Sequence, residues 1–271
     1  MKIEFLYPEL CNLFGDAMNA EYLRRAIPEA VFVKTPMKAN PAFNSGEVNL
    51  IYLGSMTEGG QNLAAQELWP HRERFIDLIN GGTVFLVTGN AFELFGTHIE
   101  NEDGTFIETL GLFGMYAKRQ MLRRYNSIYL GMFQDMEIVG FKSQFAHSYD
   151  GSKTGDGTTQ GDGSVVFDSA LRCRTQQNRP PVSFRPPVPA LFQTLRGAGR
   201  KPGQVEDGVR INNFLATYVL GPLLVLNPLF ARYLLELLGV PQRELPYEKA
   251  AMVSYEARLR EFRDPKTGEE Y

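Results

Sequence analysis

Thr83-Val-Phe-Leu-Val-Thr-Gly-Asn-Ala-Phe-Glu-Leu-Phe-Gly96 is the stretch from which the rest of the chain is read. Val84, Phe85, Leu86 and Val87 form a short β-rich apolar run, which reads as a buried strand. Thr88, Gly89, Asn90 and Ala91 then make a turn of small residues, and Phe92 to Phe95 is helix-like. Hydrolases use such a strand–turn–helix to hold a Ser or Cys at the edge of a sheet. Here Gly89 stands at the apex, and a glycine has no side chain with which to attack. The segment reads as a nucleophile elbow without a nucleophile.

Upstream of the elbow the order is β-α-β-β-α-β. Ile3 to Tyr7, Ala30 to Lys34 and Val48 to Leu53 read as strands, and Thr83 to Val87 is the fourth. Asp16 to Arg25 has helical composition. Asn62 to Asn80 reads as one long amphipathic helix with Leu63, Leu68, Phe75, Leu78 and Ile79 on its apolar face, stopped by Gly81-Gly82. Strands alternating with helices predict a mostly parallel sheet covered on both faces. From about 105 to 140 the pattern turns to short pieces of β-hairpin character. Ser148 to Gly163 is rich in Gly, Asp, Ser and Thr and reads as a loop. Arg179 to Pro189 holds five prolines and reads as extended, either a surface excursion or a docking strap. Asn213 to Val219 is expected as a strand and Pro228 to Leu238 as a helix. Tyr247 to Arg263 is expected as a charged amphipathic helix that packs on its own domain or on a partner.

Composition narrows the function classes. The chain has 271 residues, 44% of them hydrophobic and 12% aromatic, enough for a sizeable core. A net charge of −3 gives no basic field for nucleic acid. No run of about eighteen apolar residues exists, so no membrane span is expected. The opening Met1 to Leu6 does not read as a signal peptide, and two cysteines make no disulfide framework, so a cytoplasmic location is expected. His71, His98 and His147 with Cys11 and Cys173 show no metal-ligand spacing, so neither metal nor other cofactor is expected.

Four segments together resemble the class I glutamine amidotransferases, in the branch of the lipid II isoglutaminyl synthase amidotransferase subunit and the cobyric acid synthase glutaminase domain. They are Leu6-Tyr-Pro-Glu-Leu-Cys-Asn-Leu-Phe-Gly-Asp-Ala-Met-Asn-Ala20, Gly59-Gly-Gln-Asn-Leu-Ala-Ala-Gln66, the elbow, and Thr217-Tyr-Val-Leu-Gly-Pro-Leu-Leu-Val-Leu-Asn-Pro228. The resemblance implies a flavodoxin-like three-layer α/β/α sandwich. It covers residues 1–240 as the amidotransferase-like domain, with an inserted loop at about 145–190. Residues 241–271 would then be a C-terminal helical extension.

In that family a Cys thiolate at the elbow attacks the glutamine amide, a His activates it, and backbone N–H groups hold the oxyanion. The Cys position falls on Gly89 and the His position on Leu220, while Asp16 matches an acidic position with nothing left to orient. An F-x-N-H run of the family falls on Phe141-Lys-Ser-Gln144, without its His. The family's substrate-carboxylate Arg corresponds to Arg123 or Arg124. Gly59, Gly60, Gln61, Gly89, Asn90, Glu93 and Arg123 are the expected lining of a remnant pocket for a small ligand, with Glu93 alternatively a helix-capping residue.

The resemblance thus implies a catalytically degenerate protein acting as a binding or regulatory subunit of a Mur-ligase-like or other synthetase, in cell-wall or cobalamin-type amidation. Two alternatives stand beside it. One is different chemistry on the same scaffold, which needs Asp16, Glu58, Glu93, Arg123 and His147 to converge. The other is a surviving glutaminase with Cys11 or Cys173 as relocated nucleophile; as a bland reading, Cys11 is a small buried residue.

Overall fold

The computed structural model describes residues 1–151 and 188–270. Cys173 and the proline run up to residue 187 lie outside the described residues. The elements are β1 (Lys2–Leu6), α1 (Met18–Ala26), β2 (Val31–Thr35), β3 (Leu50–Leu53), α2 (Glu58–Leu68), α3 (Arg72–Asn80) and β4 (Val84–Thr88). Then come β5 (His98–Glu100), β6 (Phe106–Glu108), β7 (Met115–Arg119), β8 (Tyr125–Phe133), β9 (Met136–Gln144) and β10 (Ala146–Asp150). After residue 187 follow β11 (Phe192–Arg196), β12 (Glu206–Asp207), β13 (Val209–Ile211), β14 (Phe214–Thr217), α4 (Leu223–Leu226), α5 (Pro228–Leu237) and α6 (Glu248–Arg263).

The central sheet runs β13-β14-β4-β3-β1-β2. Every pairing in it is parallel except β13 with β14. β3 and β4 are buried at every position, as strands covered on both faces require. β2 is the edge strand and is correspondingly wetter, with Val31 and Lys34 exposed. From β1 the chain steps one way to β2 through α1; from β3 it steps the other way to β4 through α2 and α3. Right-handed crossovers in opposite directions put α1 on one face and the α2–α3 pair on the other. The result is a three-layer α/β/α arrangement around a mostly parallel sheet. Its strand order reverses between β1 and β3, where open α/β sheets form a crevice at the strands' carboxyl ends.

Two four-stranded sheets flank this core, β10-β7-β5-β6 and β12-β11-β8-β9. Phe133 and Phe192 join the main core, and Phe133 meets Phe230 of α5 edge-on at 5.2 Å. A smaller cluster seats Tyr255, Leu259 and Phe262 of α6 on Ile128, Leu130 and Val139 of the β8–β9 hairpin.

Several local expectations shift. The helix read over 62–80 is two helices separated by a 3₁₀ turn at Trp69–His71. Pro70 has no N–H to continue the first one. α2 also begins four residues early, because the Thr57 hydroxyl accepts the Gly60 N–H at 3.1 Å and caps it. α1 starts at Met18, so Asp16 sits in the turn before it. Residues 146–150, read as the beginning of the insert, form β10 and pair with β7.

Candidate functional site at the carboxyl edge of the sheet

The loops that leave β1, β3 and β4 are tied together by one buried carboxylate. Asp16 Oδ2 accepts the Ser55 N–H at 2.8 Å and the Thr88 hydroxyl at 2.5 Å, while its Oδ1 accepts Asn19 Nδ2 at 2.8 Å. The Tyr52 hydroxyl donates to the Asp16 backbone oxygen at 2.7 Å. Burial raises the Asp16 carboxyl above its ordinary value, and its bonds to Thr88 and Ser55 oppose that rise. Thr88, next to the apex, is wholly buried and spends its proton on Asp16, so its hydroxyl is structural. Asp16 holds the floor of the elbow rather than a catalytic imidazole.

Gly89 opens the 3₁₀ turn Gly89–Phe95 with φ of +63°, a left-handed value that a nucleophile elbow imposes and glycine takes without strain. A Cβ at this position would lie 2.5 Å from the Ser55 Cβ, 3.2 Å from the Ser55 Cα and 3.1 Å from Leu220 Cδ2. The fold therefore places residues 89 and 220 side by side. Leu220 is pinned there by two backbone bonds to Phe141, 2.9 and 3.1 Å long.

A second polar cluster begins one turn further on. Asn90 clamps the elbow to the β3–α2 loop, accepting from Met56 N at 3.0 Å and donating to Met56 O at 2.7 Å. Gln61 donates to Asn90 O at 2.7 Å and to Glu93 Oε2 at 2.9 Å. The Tyr218 hydroxyl donates to Glu93 Oε1 at 3.0 Å and lies 2.6 Å from Ser148 Oγ. Burial pushes the Glu93 carboxyl up to about 7, against the pull of Gln61, Tyr218 and the Arg119 charge. Glu93 is thus a buried member of a network, not a solvated cap.

Arg119 supplies the cation of this cluster, donating to Gln61 Oε1 at 2.6 Å, Asn62 Oδ1 at 2.9 Å and Glu58 O at 3.3 Å. Arg123 instead lies exposed on the turn between β7 and β8. Arg124 stacks over Phe145 at 4.4 Å. Arg119, inside strand β7, reaches the Gln61–Glu93 cluster, whereas the exposed turn that carries Arg123 stands apart from it. His147 is buried with its Nδ1 3.1 Å from Gln144 Nε2, and burial with the Lys142 and Arg123 charges pushes it down to about 4. Asp16 and Glu93 occupy separate clusters and Arg123 neither, so the five ionisable groups do not converge.

Of the remaining pocket residues, Gly60 is buried against the Thr57 hydroxyl, whereas Gly59 is exposed with open space around it. Lys142, within the Phe141-Lys-Ser-Gln144 run, is fully buried and paired with Asp207, which also accepts from Thr217. Lys142 also donates to Gly199 O at 2.7 Å. Cys11 is wholly buried and its thiol is pushed up to about 12, mainly by burial, which leaves no thiolate at neutral pH. Among the described residues no group of three or more His, Cys, Asp and Glu is placed to hold a metal ion. No helix among them is long and apolar enough to cross a membrane.

No protein-family model matches the chain. A lipid II isoglutaminyl synthase (glutamine-hydrolyzing) subunit GatD from Streptococcus pneumoniae is 24% identical over 230 residues, spanning 84% of this chain and 76% of that protein. The subunit of the same name from Staphylococcus aureus is 23% identical over 239 residues, spanning 88% of this chain and 83% of that one. A crystal structure of a glutamine amidotransferase superposes with a TM-score of 0.48 at 13% identity, covering 88% of this chain and 99% of the other. Over more than four fifths of its length the chain is thus similar in sequence to two subunits of a glutamine-hydrolysing synthase.

Proposed function

We propose that the chain is a catalytically silent, amidotransferase-like subunit that binds or regulates a synthetase or ligase-type partner. The observation that carries this reading is the side-by-side placement of Gly89 and Leu220 at the elbow. On a glutaminase of this kind those two positions supply the attacking sulfur and the proton acceptor. Removing one member of such a unit lowers the rate by about four to six orders of magnitude, and the losses do not add. Both relatives are named as subunits of a glutamine-hydrolysing synthase. That supports a partner of the Mur-ligase-like kind and a place in amidation chemistry. The knots at Asp16 and Glu93 support an intact scaffold, since they keep the elbow loops ordered without any reactive group.

The test is glutamate release from glutamine by the purified full-length chain, together with co-purification against a Mur-ligase-like synthetase. The expected result is no release above the uncatalysed background and a complex that survives gel filtration. Turnover that an alkylating reagent abolishes would overturn the reading.

A further inference from the structure

We infer that Ser55 is a third determinant of the silent elbow, and that its side chain closes the seat a nucleophile would need. The inference rests on the reading of Gly89 as the vacated nucleophile position. A Cβ at 89 would meet the Ser55 Cβ at 2.5 Å, a separation that real Cβ atoms do not tolerate. The other close neighbour, Leu220 Cδ2 at 3.1 Å, is the free end of a side chain and can turn aside. Ser55 cannot, because it is held at three points. Its N–H goes to Asp16 Oδ2 at 2.8 Å, its hydroxyl donates to Leu13 O at 3.0 Å, and its carbonyl accepts Leu13 N–H at 3.3 Å. The same Asp16 that binds Ser55 also binds Thr88, so the residue before the apex and the residue that fills the apex share one anchor. Replacing Ser55 with glycine removes the clashing atom and leaves the Cα at 3.2 Å, a distance small shifts absorb. Gly89 is therefore dictated by Ser55 as much as by the left-handed turn. Restoring only the sulfur and the imidazole leaves the Cβ that carries the sulfur without room.

The experiment has two arms, both on the full chain. In the first, melting temperatures are compared for Gly89→Ala, Ser55→Gly and the double variant. Gly89→Ala alone is expected to lose on the order of 5–10 °C, through overpacking added to the strain of a left-handed φ that Ser55→Gly leaves in place. The double variant is expected to melt at least about 5 °C higher than the two single losses would add to. A double variant that folds when Gly89→Ala does not also supports Ser55 as the cause. Additive losses, or a double variant that fails to fold alongside Gly89→Ala, overturn it.

In the second arm, iodoacetamide labelling is followed in a Cys173→Ser background. Ser55→Gly/Gly89→Cys should label at least about tenfold faster than Gly89→Cys, and equal rates overturn the assignment. Neither arm depends on catalysis by the unaltered protein. Glutamine turnover by wild type would remove the proposed function and leave the packing result standing.

Discussion

Two buried side chains pull the stability of the protein in opposite directions as pH changes. The Glu93 carboxyl is raised from 4.5 to about 7. Between those values the folded chain holds a proton that the unfolded chain has released. Its contribution is thus fully present below pH 4.5 and lost by pH 7. His147 is lowered from 6.5 to about 4, so there the unfolded chain holds the extra proton and stability rises with pH. Each shift corresponds to about 3 kcal/mol across its window, so the two contributions nearly cancel between pH 4.5 and 6.5. Glu93→Gln should unmask His147, giving a urea midpoint that climbs from pH 4 to 6.5. His147→Phe should unmask Glu93, giving a midpoint that falls from pH 4.5 to 7. Parallel profiles for the two variants would show that neither group titrates inside the folded protein as its surroundings dictate.

At the scale of elements, helix α2 is the most exposed to a single change, because its first turn contains Gly59 and Gly60. Each glycine costs a helix interior roughly 1 kcal/mol relative to alanine, so the start leans on the Thr57 cap. Thr57→Ala should cost about 1 kcal/mol, seen as a fall of about 2–4 °C in Tm, and Thr57→Ser should restore it. A silent alanine variant would mean that the Asn90 clamp, not the cap, fixes the loop. The early strands and the elbow were legible because their signals are contiguous: an apolar run, then a turn of small residues. The apolar spacing continues across Pro70 and so hides the break, although proline is itself a stop signal. The polar cluster was not legible, for a different reason. Arg119 reaches Gln61 across 58 residues and Tyr218 reaches Glu93 across 125, and no local pattern marks either pair. Nothing in the sequence singles out Ser55, since what it excludes is a matter of packing.

The whole molecule is stitched at its far end by the last thirty residues. Tyr255, Leu259 and Phe262 cover Ile128, Leu130 and Val139, and the Tyr255 hydroxyl donates to Glu137 O at 2.7 Å. Arg196 of β11 then holds the end of α6, donating to Phe262 O at 2.5 Å, Asp264 O at 2.8 Å and Thr267 O at 2.6 Å. Ile128 N–H completes the seam on Glu269 O at 2.9 Å. β8 and β9 also carry Phe133 and Phe141, and Phe141 is hydrogen-bonded to Leu220 at the elbow. The seat of α6 and the wall of the candidate site are therefore neighbours on one hairpin, where Ile128 pairs with Phe141 and Leu130 with Val139. Ending the chain after residue 246 would bare three core side chains, each worth about 1.5–3 kcal/mol when buried. The shortened protein should melt more than about 10 °C lower and bind a hydrophobic dye at temperatures where the full chain does not. Amide exchange along β9 should rise together with it, because the hairpin would lose the layer that covers it. A shortened chain with the melting temperature and β9 protection of the full one would instead make α6 an independent extension, free to dock elsewhere.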